Sequence, residues 1–271
     1  MMHRALLLVV AASVCHAADT TPDGPRKVVR DSLANLQKSD QKIRNYSFQI
    51  SLVNRETDSH GVSKTRSRVV SREFVDGLTV TRLISRDGVP LTEEERRKNE
   101  EQLQKHLADL KGQSAAQRAK EAEQRRKGRN NQEEWYKEAP EALDFKWAGQ
   151  ETIEGRPAMV LTFSPHPGFQ PANIWARVFL KMSGKVWIDS EETELVKAEA
   201  GLFDDVTIGW GLVGRVNRGT AFTLDRERVA AQTWLPRKQS NRYSARLLLK
   251  TIRGDETLEF SGYTPQAHPT H

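Results

Sequence analysis

Between polar turns, the apolar positions of this chain recur mostly at every second residue, the period of strands that bury one face. One early segment differs. Over 26–43, Val28, Val29, Leu33, Leu36 and Ile43 recur at helical spacing among Ser, Asp, Lys and Gln, which predicts an amphipathic helix packed by a single face. Strands follow. Tyr46, Phe48, Ile50 and Leu52 alternate with polar residues over 46–56, a second alternation runs over 62–74, and a third covers 78–85. Turns separate and end them at Asp58 to Gly61, Asp76-Gly77 and Asp87-Gly88, the last two being strong turn dipeptides. Strands resume over 143–163, with a turn at Glu154-Gly155, and continue from 184 to 263.

The stretch 184–210, GKVWIDSEETELVKAEAGLFDDVTIGW, holds the clearest hairpin. Val186 and Ile188 fall on one side of its first arm, and Ser190-Glu191-Glu192-Thr193 forms the turn. In the second arm Val196, Ala198, Ala200 and Leu202 take one face, with Lys197 and Glu199 opposite. These six residues, Val186, Ile188, Val196, Ala198, Ala200 and Leu202, are the expected lining of a cavity. Their small alanines leave room for the N-terminal helix or for a ligand, and the pattern leaves both open.

The segment 90–138 breaks the alternation. Thr92 is placed to cap a helix that opens with Glu93, Glu94 and Glu95, acids favoured in a first turn. Leu103, Leu107 and Leu110 then make a short stripe amid Glu, Lys, Arg, Gln and Ala. This predicts a solvated charged helical insertion, with a partner-binding helix as the competing reading. The count comes to roughly ten or eleven strands, largely antiparallel because their turns are short. The fold class is mainly β with helices (α+β), and a sheet of that size curls or closes.

Composition sharpens the compartment. His3 and Arg4 precede an apolar run to Val14, and Cys15-His16-Ala17 ends it with small residues placed for cleavage between Ala17 and Ala18. Residues 1–17 therefore read as a secretory signal peptide and 18–271 as a single domain. The run is about half of the roughly 20 residues a spanning helix needs, and no later run approaches that length. Lipidation at Cys15, giving an outer-membrane lipoprotein, is the minority alternative. After cleavage the chain has no cysteine, which excludes disulfides and thiolate chemistry and suits a bacterial periplasm or secretion. Charged residues make up 29 %, apolar ones 37 %, mean hydropathy is −0.66, and the formal charge is +6. Export argues against nucleic acid as the partner of that charge, which leaves anionic lipid or envelope polymers, or ordinary solubilising charge as an equal alternative.

Candidate chemistry is sparse. His60, His106, His166 and His268 form no paired ligand spacing, and no nucleophile-elbow, phosphate-loop or zinc-protease pattern occurs. Glu191-Glu192 and Asp204-Asp205 are paired carboxylates at turns, where solvated acids are the norm. No catalytic residue, metal or cofactor is expected, and a hydrolase ranks last. Trp147, Trp175, Trp187, Trp210 and Trp234 are scattered through the strands, as core and rim residues or as an apolar lining for acyl chains.

The hairpin sequence GKVWIDSEETELVKAEAGL and the late segment ETLEFSGYTP resemble the hairpin and closing strand of periplasmic lipoprotein carriers. That family includes the lipoprotein-sorting carrier and the N-terminal domain of the sigma-E regulatory protein. The resemblance covers 26–263 in outline, with 90–138 as a departure. It implies an unclosed antiparallel β-barrel capped by helices, and a binding protein for lipid acyl chains or lipoproteins without covalent chemistry. An envelope sensor that contacts another protein through the charged helices is the alternative.

Overall fold

The computed structural model describes residues 24–58, 60–75, 78–172, 176–208, 214–247 and 250–266. The signal segment with Cys15, Ala17 and Ala18, together with Asp76-Gly77, Trp175, Trp210 and His268, lies outside the described residues.

Helix α1 (Gly24–Lys42) starts with Pro25 in its first turn, where a missing N–H costs nothing, and buries Val29, Leu33 and Leu36 on one face. Three strands then meander through β1 (Tyr46–Thr57), β2 (Ser63–Val75) and β3 (Leu78–Arg86). A left-handed Asp87-Gly88 pair (φ 50° and 78°) turns β3 into the two-residue β4 (Val89–Pro90). Helices α2 (Glu93–Gly112) and α3 (Ala115–Ala142) follow. Thr92 closes a capping box on α2: its N–H donates to Glu95 Oε2 at 2.9 Å and its hydroxyl accepts from the Glu95 N–H at 3.2 Å.

The second half comprises β5 (Leu143–Ile153), β6 (Arg156–Pro165), a 3-10 segment (Ala176–Lys181), β7 (Met182–Asp189), β8 (Leu195–Leu202), β9 (Val206–Ile208) and β10 (Gly214–Val216). Three long strands complete it: β11 (Ala221–Ala230), β12 (Thr233–Leu247) and β13 (Lys250–Pro265). All join one 13-stranded sheet, in the order β4-β3-β2-β1-β13-β12-β11-β8-β7-β6-β5, with β9 and β10 attached beside β12. Its strand pairs are antiparallel, and the end strands β4 and β5 do not meet. The fold is an unclosed β half-barrel with helices. The two-residue β4 and three-residue β10 are too short to show an alternation.

The helical insertion runs further than 90–138. Helix α3 continues to Ala142, and Tyr136, Ala139 and Ala142 join the core with Leu143. Its last turns are anchored because their apolar stripe runs directly into β5. The main core gathers these residues with Val29, Leu33 and Leu36 of α1, Phe179 of the 3-10 segment, and Leu161, Phe163, Ile188, Leu195 and Leu224 from the sheet. Fully burying each of the larger side chains contributes about 1.5–3 kcal/mol.

Candidate functional site

Residues directly opposite each other on neighbouring strands share a face, so the register traces one face across the sheet. From Leu161 of β6 the partners are Val186, Ala198 and Leu224. The row continues through Gln239 and Leu258 to Leu52, and ends at Arg68 and Arg86. A neighbouring row runs from Phe163 through Gly184, Ala200 and Phe222 to Asn241, Glu256, Asn54 and Arg66. This face therefore changes from aliphatic and aromatic on β5–β8 to basic on β2 and β3.

Helix α1 covers the aliphatic half. Val186, Ile188, Ala198 and Ala200 all pack in the core beneath α1, the end of α3 and the 3-10 segment. The room left by the alanines is filled by the protein's own helices. Gly184 belongs to the same close packing, since a Cβ there would collide with the Glu199 carbonyl oxygen and stand 2.7 Å from the Phe163 ring. Leu202 is buried opposite Met182.

Val196 departs from the expected face. Trp187 pairs with Lys197, but Ile188 pairs with Leu195, so Val196 is the extra residue of a β-bulge. The bulge sends Val196 to the other side, where it packs with Ala158, Val160, Trp187 and Trp234. Lys197 lies 4.5 Å over the Trp187 ring.

The hairpin's charged residues are structural. Arg156 grips buried Asp189 with two hydrogen bonds of 2.6 and 2.9 Å, and Asp189 Oδ1 accepts from the N–H groups of Glu191 and Glu192. Glu192 accepts from Arg228, Trp234 Nε1 and the Gln232 amide, bonds that bring its carboxyl from the usual 4.5 down to about 2. Under the end of α1, buried Arg226 pairs with Glu194 at 3.2 Å and Asp40 at 3.1 Å, and Ser39 donates to Glu194 at 2.6 Å. Burial pushes the Glu194 and Asp40 carboxyls up. Asp204 pairs with Lys181 at 2.7 Å and Asp205 with Arg215 at 3.3 Å, so neither carboxylate pair stands free for acid–base work. His166 Nδ1 lies 2.8 Å from Asp144, which Arg26 of α1 also engages. Among the described residues, no group of three or more His, Cys, Asp or Glu is arranged to hold a metal ion. No helix among them is long and apolar enough to cross a membrane.

The open space lies at the other end of the face. A cavity of about 1310 Å³ separates α2 from β1–β3. Leu52, Val70, Leu83, Ile84, Leu91 and Leu103 give it an apolar floor and wall, and Ile84 remains 37 % exposed. Arg66, Arg68, Arg86, Arg96 and Arg97 line it as well. Helix α2 is tied to β3 by Arg82, which donates to Glu100 at 3.1 Å and to Glu73 at 3.0 Å. Arg86 approaches Glu95 only to 3.9 Å, beyond hydrogen-bond reach. The guanidinium groups of Arg66, Arg68 and Arg96 make no hydrogen bond or ion pair among the described residues. The alternation over 62–74 showed Arg66 and Arg68 only as polar positions. The usable signal was the density of arginine on the arm that also carries Val70.

No family model matches the chain, and neither does any curated protein. Solved structures similar to it include a Vibrio parahaemolyticus domain described as one of outer membrane lipoprotein sorting (11 % identity, 89 % of this chain and 95 % of that one, TM-score 0.33). Another is a DUF1329 family protein from Desulfovibrio piger (11 % identity, 91 % and 95 %, TM-score 0.32). A third is a LolA superfamily protein from Nitrosomonas europaea (12 % identity, 88 % and 94 %, TM-score 0.28).

Proposed function

We propose that this chain is an exported, periplasmic binding protein of carrier type that holds a lipid acyl chain, free or on a lipoprotein, without covalent chemistry. The observation that supports this most is the unequal covering of one continuous sheet face. Helix α1 seals the β5–β8 half, while α2 stands off the β1–β3 half and leaves an apolar-floored cavity of about 1310 Å³. That is larger than the roughly 300–1,000 Å³ of common small-molecule sites, and each buried methylene would contribute about 0.8 kcal/mol. The binding residues are then those of the α2 groove, with Val186, Ile188, Ala198 and Ala200 of the hairpin serving as the wall behind α1. The test is organic-solvent extraction of protein purified from a bacterial host, with mass spectrometry of the extract, alongside titration with a fluorescent fatty acid. Co-purified lipid or saturable binding is expected. Neither appearing would overturn the reading.

A second reading is contact with an envelope protein through the helices. It is favoured by Trp135 on α3, which lies tilted against Phe179 and meets Tyr136 edge-to-face yet remains 40 % exposed. Unchanged pull-down partners for Trp135→Ala would count against it.

A further inference from the structure

The lining of the α2 groove has more cationic charge than its own acids neutralise. Arg68 stands directly opposite Arg86 across the β2–β3 pair, and Arg66 lies two residues along the same strand. Like charges placed directly opposite destabilise a strand pair, and an anion held between them relieves that repulsion. The acids nearby are mostly committed. Asp87 accepts from the Ser67 amide at 2.7 Å, and Glu100 accepts from Arg82 and Gln104. Glu95 is held by Thr92 in the capping box. Two further acids, Glu93 and Glu256, remain in the lining. Against them stand Arg66, Arg68 and Arg96, each without a partner among the described residues, and the loosely paired Arg86.

We propose, on the basis of the carrier reading above, that the groove selects an acyl lipid whose headgroup carries phosphate. The headgroup sits between Arg66, Arg68 and Arg86, and the chain lies over Leu52, Val70 and Leu83. The planar guanidinium fork matches phosphate oxygens with paired hydrogen bonds, the stronger kind because both partners are charged. Several forks on one rim suit a phosphate that can carry two charges. The apolar residues beside them give the chain a surface to leave water. Neither half of the site suffices alone: the rim without the floor would take free phosphate, and the floor without the rim would take any acyl chain.

The experiment is equilibrium binding to the full mature chain with three ligands: lysophosphatidate, a monoacylglycerol of the same acyl chain, and inorganic phosphate. Lysophosphatidate is expected to bind at least about ten-fold more tightly than monoacylglycerol, a difference that shrinks as salt is raised. The double variant Arg66→Gln/Arg68→Gln is expected to erase that preference, bringing lysophosphatidate affinity down to that of monoacylglycerol. Both arginines are exposed and unpartnered, so the variant keeps its fold, checked by its thermal midpoint. Equal affinity for the two lipids in the unaltered protein overturns the headgroup assignment and leaves the carrier reading standing. Inorganic phosphate binding as tightly as lysophosphatidate also overturns it, because the chain then contributes nothing. Binding of neither lipid overturns the carrier reading and this inference with it.

Discussion

Arg68 of β2 faces Arg86 of β3 across an antiparallel pair, on the same sheet face that α1 seals at its other end. A pair of like charges so placed lowers stability unless something outside the chain neutralises it. Arg68→Gln is therefore expected to raise the unfolding free energy of the free protein by about 0.2–1 kcal/mol, measured by urea denaturation. A loss of stability would mean that the Arg68 side chain already has a favourable partner within the protein.

The Arg226 site behaves in the opposite way. Its guanidinium is closed off from solvent and holds Glu194, Asp40 and the carbonyls of Leu195 and Trp234. Arg226→Met strands two carboxylates under α1, and a loss of about 3–5 kcal/mol is expected in the same denaturation assay. A change under about 1 kcal/mol would show that α1 is fixed by its apolar face alone.

Glu192 gives an acid-side signature. Its folded carboxyl titrates at about 2 instead of the usual 4.5. The folded state therefore binds this proton less readily than the unfolded state does. The stability Glu192 contributes is present in full above about pH 4.5 and is lost as pH falls towards 2. Glu194 and Asp40, pushed up by burial, act in the other sense, because their protonation favours the folded state as pH falls. Glu192→Gln is expected to flatten the decline of the urea midpoint between pH 4.5 and 2. An unchanged slope would contradict the role assigned to Arg228 and Trp234.

Two glycines separate close packing from open space. A Cβ on Gly184 meets the Glu199 carbonyl and the Phe163 ring, whereas one on Gly112, at the end of α2, meets nothing within 4 Å. Gly184→Ala is expected to cost at least about 1–3 kcal/mol. Gly112→Ala should be neutral or stabilising by up to about 1 kcal/mol. Thermal unfolding of the two variants side by side checks the contrast.

Local periods made much of the architecture legible. The spacing of Val29, Leu33 and Leu36 located the face of α1, Thr92 and Glu95 marked the start of α2, and Phe48 and Ile50 alternated into the core. The hairpin at 184–202 was readable for the same reason. Val196 was misplaced because a bulge inserts one residue, and a period-2 reading carries that shift to the wrong face. The groove was not legible because it depends on long-range pairing. Leu52 meets Arg68 on one side and Leu258, from the far end of the chain, on the other. No local pattern reports which half of a shared face a helix will cover. The alanines at 198 and 200 signalled available room, but α1 and α3 occupy it.

The central claim is that the acyl chain lies between α2 and β1–β3 and not under α1. Photo-crosslinking answers it most directly: a fatty acid with a diazirine on its chain is bound, irradiated, and mapped by peptide mass spectrometry. The expected result is label on β2, β3 and α2, at residues such as Val70, Leu83 and Leu103. Label confined to β7 and β8, at Val186 or Ala198, would contradict it and would mean that α1 swings away to admit the ligand.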